Sequence, residues 1–227
     1  MSMLARVCAC LISLSLVATP LLAQEKELQR AETAIAVLTQ VQSTPDSQIP
    51  DWLLEKSFAI AVIPEVVKAG FVVGGHRGKG LISVRSADGT WSNPSFLTMT
   101  GGSVGFQGGV QSSDIILVFR TQRGVDNLVH GKFTLGADAS IAAGPVGRQA
   151  QASTDAELKA EIISYARSRG LFAGVALDGT ALTIDDKANE KVYGLDVTAR
   201  MIFQGRVTGV PDGIVRFRDQ LEEQTAR

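Results

Sequence analysis

The chain has 227 residues, 45% of them hydrophobic and 20% charged, which is enough for one substantial core and short of what two ordinary domains use. Its 22 Lys and Arg residues oppose 23 Asp and Glu, and the formal charge of -1 gives the whole molecule no attraction to nucleic acid, so an anionic partner must be met by a local patch. Both cysteines, Cys8 and Cys10, fall in the first 23 residues, so the remainder offers no disulfide, thiolate metal site or cysteine nucleophile.

Residues 1–23 carry one positive charge, Arg6, then an apolar run from Val7 and a small residue, Ala23, before polar sequence. That is the layout of a secretory signal peptide cleaved after Ala23; Pro20 interrupts a run already short for a bilayer span. Cleavage there leaves the chain slightly acidic, and the early cysteines leave no lipid attachment point at the new N-terminus. The expected organisation is a signal peptide over 1–23, an N-terminal helix over 24–48 and one domain over 49–227.

From Gln24 to Gln42, Leu28, Ala31, Ile35, Leu38 and Val41 recur every three or four residues among charged neighbours, which predicts an amphipathic helix ended by Thr44-Pro45-Asp46. Ala-rich and mixed in charge, its face suits packing on the domain better than lying in a membrane surface. A short helix with Asp51 as cap should bury Trp52 and Leu53. The texture then changes to Val-, Ile- and Phe-rich runs broken by glycine. Strands are predicted at Phe58 to Ile63, Gly70 to Gly74, Gly80 to Arg85, Ser95 to Phe106, Ile115 to Thr121, Lys132 to Ala142 and Leu171 to Ile184.

Asp88-Gly89 and Asp178-Gly179 are turn signals, and Gly102, Gly105 and Gly108 suggest bulges or close backbone approach. Helical segments are predicted at Gln122 to Val129 with Gly131 beyond the end, at a turn opening near Thr154 and Glu157, and at Asp185 to Tyr193 and Asp212 to Glu223. Successive strands joined by short turns predict an α+β domain with a strongly bent, mainly antiparallel sheet and flanking helices.

Chemistry is sparse. The glycine-rich stretch AGFVVGGHRGKGLISV, Ala69 to Val84, fails as a phosphate-binding P-loop because Val73 stands at its first glycine and Gly80 at its hydroxyl. It remains either an anion cradle of backbone amides helped by Arg77 and Lys79, or a hairpin turn with solvated basic side chains. His76 and His130 are too few and wrongly spaced for a metal site, no G-x-S-x-G elbow occurs, and neither a catalytic residue nor a cofactor is expected. Arg148 and the pair Arg167 and Arg169 would join a cationic rim if the fold brought them to the glycine-rich stretch.

Four stretches in order, KAGFVVGG, DGTWSNPS, HGKFTLGADASIAAGPVGR and RSRGLFAGVALDGTAL, closed by VYG, resemble the SYLF domain family over roughly Leu53 to Gly194. The resemblance implies binding: eukaryotic members are membrane adaptors that bind phosphoinositides and, in yeast, actin, and bacterial members are envelope proteins. With an export signal and no SH3 or FYVE segment, the chain is expected to be a periplasmic or envelope-associated, non-enzymatic module for anionic phospholipid. Lys68, His76, Arg77, Lys79 and Arg148 are the candidate lipid-binding residues. The alternative is an envelope protein that docks a protein partner.

Overall fold

The computed structural model describes residues 18–43, 48–70, 73–104, 109–146 and 159–225. Helix α1 (Ala18–Ser43) contains the predicted helix and begins upstream of it, running through the expected cleavage point. Its apolar stripe, Ala31, Ala34, Leu38 and Val41, is at most 2% exposed, so the face is used for packing on the domain. Helix α2 (Asp51–Glu55) buries Leu53 and Leu54; Pro50 is its cap, and Asp51 occupies the first turn.

Four long strands follow, built around one central hairpin. Strands β1 (Ala59–Gly70) and β2 (Val73–Val84) pair with each other, and β3 (Ser95–Val104) and β4 (Gly109–Phe119) flank them, β3 on β2 and β4 on β1. After α3 (Gln122–Val129) come the short β5 (Phe133–Thr134) and β6 (Ile141–Ala143), then β7 (Ile162–Ser168), β8 (Leu171–Gly174) and β9 (Ala181–Ile184). Helices α4 (Asp186–Tyr193), α5 (Ala199–Phe203) and α6 (Asp212–Thr225) complete the chain.

Among the described residues these strands form one sheet in the order β5-β9-β3-β2-β1-β4-β7-β6, with β8 also on β7, and every pairing is antiparallel except β6 with β7. The sheet cannot be flat. Eight strands side by side would separate β5 from β6 by about 34 Å, yet the chain from Thr134 to Ile141 reaches at most about 25 Å. Phe119 of β4 and Phe133 of β5, five strand positions apart, bring their ring centroids to 6.5 Å. The sheet therefore curls into a half-barrel, and the predicted α+β class with a strongly bent sheet is the one observed.

Residue alternation splits the core in two. Ile60, Val62, Leu81, Phe96 and Val118 point outward and pack under α1, α4 and α6. Ala61, Ile63, Ile82, Leu97, Met99 and Leu117 point inward, where α3, Leu135 and Leu182 close over them. The bend is set locally. In β1, Pro64 and Glu65 form a bulge, Glu65 at φ 52, and the pairing with β4 skips from Ile63 to Val66. Opposite, a Cβ at Gly78 would lie 2.6 Å from Val66 Cγ2 and one at Gly80 2.3 Å from the Val62 carbonyl oxygen, so the strands approach as only glycine allows.

Several expectations need correction. The glycine-rich stretch is a strand of the sheet interior, not a loop, and the strand predicted at Gly70 to Gly74 is the end of β1 and start of β2, with residues 71–72 outside the described set. Gly102 sits in unbroken register with open space where a Cβ would be, so it marks neither a bulge nor a close approach; Gly105 and Gly108 lie outside the described residues. The runs Lys132 to Ala142 and Leu171 to Ile184 each divide into two short strands around turns at Gly136 and Gly179, both at positive φ. Strand β7 was not predicted: Ile162, Ile163, Ser164 and Tyr165 are buried on both faces, which removes the alternation that identifies a strand. The helical turn near Thr154 and Glu157 and most of the expected signal peptide, residues 1–17, fall outside the described residues.

Candidate functional site

Because side chains alternate along β2, the predicted site divides between the two faces of the sheet. His76 points inward opposite Lys68, its register partner on β1, while Arg77 and Lys79 point outward. Arg148 lies outside the described residues. The glycine-rich strand is paired with β3 from Val73 to Ile82 and with β1 on both sides of the bulge, so it lies within the sheet and is not the loop that the anion cradle considered from the sequence requires.

His76 is half-buried and its Nε2 is 3.0 Å from Thr180 Oγ1, in a hydrogen bond to a side chain that is 1% exposed. The imidazole stands over Gly101, where a Cβ would come within 2.4 Å of His76 Cε1. Burial, and after it the positive charge of Lys68, hold the imidazole below its ordinary titration range. Lys68 and His76 overlook a cavity of about 320 Å³ at the mouth of the half-barrel, floored by Val66, Met99, Ile115 and Leu177 and flanked by Asp178.

On the outer face Lys79 is committed. Its Nζ donates to Asp185 Oδ2 at 2.6 Å, and Asp185 also caps α4 by accepting from the Ala188 amide. Burial alone would raise the Asp185 carboxyl, but the hydrogen bond and charge of Lys79, the Ala188 amide and the charge of Arg30 hold it below the ordinary value. Lys79 therefore fastens α4 to the sheet. Arg77 is exposed and forms no ion pair among the described residues.

The fold does assemble a cationic rim, though with different members. Arg77 pairs in register with Val67, Val67 with Ser112, and the Ser112 carbonyl accepts from Ser168 Oγ at 3.4 Å, next to Arg169 in the β7–β8 turn. Arg77 on the outer face and Lys68 on the inner face therefore flank Val67 toward the end of the β1–β2 hairpin, with Arg169 in the neighbouring β7–β8 turn; all three cations are exposed at this rim, where Val67 and Leu171 are 46% and 78% exposed. Arg167 is withdrawn from that rim by an ion pair with Asp114 at 3.1 Å. Sequence reading missed Val67, Leu171, Asp178 and Thr180. The Asp178-Gly179 turn signal pointed at two of these, but nothing local linked it to His76 a hundred residues earlier. Among the described residues no cluster of three or more His, Cys, Asp or Glu side chains is placed to hold a metal ion, and no helix is long and apolar enough to cross a membrane.

The family model described as Las17-binding protein actin regulator, Ysc84, matches residues 100–224. The chain is 39% identical over 169 residues to LAS seventeen-binding protein 3 of Saccharomyces cerevisiae, covering 73% of this chain and 37% of the yeast protein. It is 34% identical over 184 residues to SH3 domain-containing YSC84-like protein 1 of Homo sapiens, covering 80% of this chain and 54% of the human protein. The chain thus spans between about a third and about half the length of these curated relatives.

Proposed function

The chain belongs to the Ysc84 family of SYLF-domain proteins, and on that premise we propose that it is a non-enzymatic binding module whose rim of β-hairpins meets anionic phospholipid at a membrane surface. One observation carries this reading: Lys68, Arg77 and Arg169 share a rim with the exposed apolar side chains of Val67 and Leu171. Cations beside protruding apolar groups match an interface in which phosphates lie above acyl chains. With a whole-chain charge of -1, attraction has to come from such a patch.

Each Lys or Arg near an anionic surface contributes about 1 kcal/mol, so replacing Lys68, Arg77 and Arg169 together by Gln should weaken binding to anionic vesicles about a hundredfold at low salt. Lys79→Gln, which touches a cation held by Asp185, should leave it unchanged. Co-sedimentation that does not distinguish the triple variant from the parent protein sinks the reading. The N-terminal sequence pattern supports a site of action in the cell envelope; finding the chain unprocessed in the cytosolic fraction would count against that.

A second reading is favoured by the relatives' names. The yeast protein is named for binding Las17, and a role for this chain in docking a protein partner is its counterpart. Recovery of a stoichiometric partner by the triple variant as well as by the parent would move the function from the lipid rim to a protein surface.

A further inference from the structure

The cavity at the mouth of the half-barrel is separate from the outward-facing part of the rim and has its own chemistry. Its floor is buried and apolar: Val66, Met99, Ile115 and Leu177 are at most 8% exposed. At about 320 Å³ it lies at the small end of the ~300–1,000 Å³ range of ligand sites. Two charged side chains line it, Lys68 from β1 and Asp178 from the turn before β9, and neither has an ion-pair partner among the described residues.

The polar wall is held rigidly. Thr180 donates its amide to the Leu177 carbonyl, Gly179 donates to the Leu135 carbonyl, and the Thr180 hydroxyl holds His76. Asp178 is thereby carried on a turn tied to both β9 and the β5 connection. One cation, Lys68, and one anion, Asp178, in the lining give the pocket no net preference for a multiply charged anion, whereas a ligand bearing both signs finds a partner for each.

We infer that this pocket binds a small zwitterionic amphiphile, with its anionic group at Lys68, its ammonium at Asp178 and its aliphatic part on the floor of Val66, Met99, Ile115 and Leu177. A single-chain phosphoethanolamine lipid and a free apolar amino acid both offer that chemistry. The cavity shares Lys68 with the vesicle-binding rim, but the inference concerns monomeric ligands on an inward-facing floor and rests on Asp178 as well, which the rim does not use.

The test is an NMR titration of the chain with a short-chain lysophosphatidylethanolamine below its micelle concentration, beside an alkyl phosphate and an alkylamine of equal chain length and free leucine. The chain has two histidines, so the ring signals of His76 report the pocket and those of His130 serve as control. A zwitterion should shift His76 and leave His130 in place, and each single-charge probe should bind about tenfold more weakly, a difference of about 1.4 kcal/mol. Asp178→Asn should abolish the advantage over the alkyl phosphate, and Lys68→Gln the advantage over the alkylamine. Both side chains are exposed, so both variants keep the fold. Leucine binding in place of the lipid retains the inference and identifies the source as an amino acid. No His76 shift with either zwitterion, equal affinity for all probes, or affinities indifferent to both substitutions would each overturn it. Vesicle binding without any of these shifts would leave the rim reading standing and remove this one.

Discussion

His76 shows how one side chain acquires its properties from residues far away in sequence. Burial first, and the charge of Lys68 second, lower its affinity for a proton relative to its ordinary value of 6.5. The unfolded chain therefore takes up that proton at a higher pH than the folded protein. The corresponding stability is complete above the unfolded value and is lost as pH falls from there through the folded value. His76→Gln should remove this part of the acid slope, and Lys68→Gln should make it shallower, read as urea midpoints between about pH 8 and 5. Identical slopes in all three proteins would show that the imidazole is not held as described. Gly101→Ala, which crowds the ring at 2.4 Å, should push it off Thr180 and return its titration toward the ordinary value.

At the scale of the element, β1 depends on an interruption. Glu65 adopts φ 52, and its amide, turned out of the ladder, donates to Asp114 Oδ1 at 3.0 Å; Arg167 holds Asp114 from the far side. One carboxylate from β4 thus satisfies the bulge in β1 and ties β7 to both. Asp114→Ala should cost about 1–3 kcal/mol in chemical denaturation, because it leaves a donor and a cation without their acceptor. Asp114→Asn should recover part of that loss through the amide bond alone. Helix α1 is fastened differently: Glu27, its side chain 4% exposed and steadied by Arg30 of the same helix at 3.1 Å, pairs with Lys191 of α4 at 3.3 Å, whereas the exposed pair of Arg216 and Glu32 contributes little.

For the molecule as a whole the decisive feature is closure. Phe133, 1% exposed, lies on the edge strand β5 and meets Phe119 across the interior, so it joins sheet positions that are near in sequence but that strand order keeps apart. Phe133→Ala should cost about 3–5 kcal/mol and accelerate amide exchange in β5 and β9 ahead of β1 and β2. Uniform acceleration would contradict a curl held at its edge. The sequence by itself determined the helices α1, α3, α4 and α6, the turns at Gly89 and Gly179, most strands and the α+β class, because caps, turn residues and apolar periods act within a few residues. Strand β7 escaped because burial on both faces erases its period. The site was decided only by tertiary structure. A glycine-rich stretch reads as a loop until neighbouring strands pair with it, and alternation sent His76 and Lys79 to opposite faces. Which cations stayed free was settled by distant carboxylates: Asp185 took Lys79 and Asp114 took Arg167, while Lys68, Arg77 and Arg169 were left on one rim.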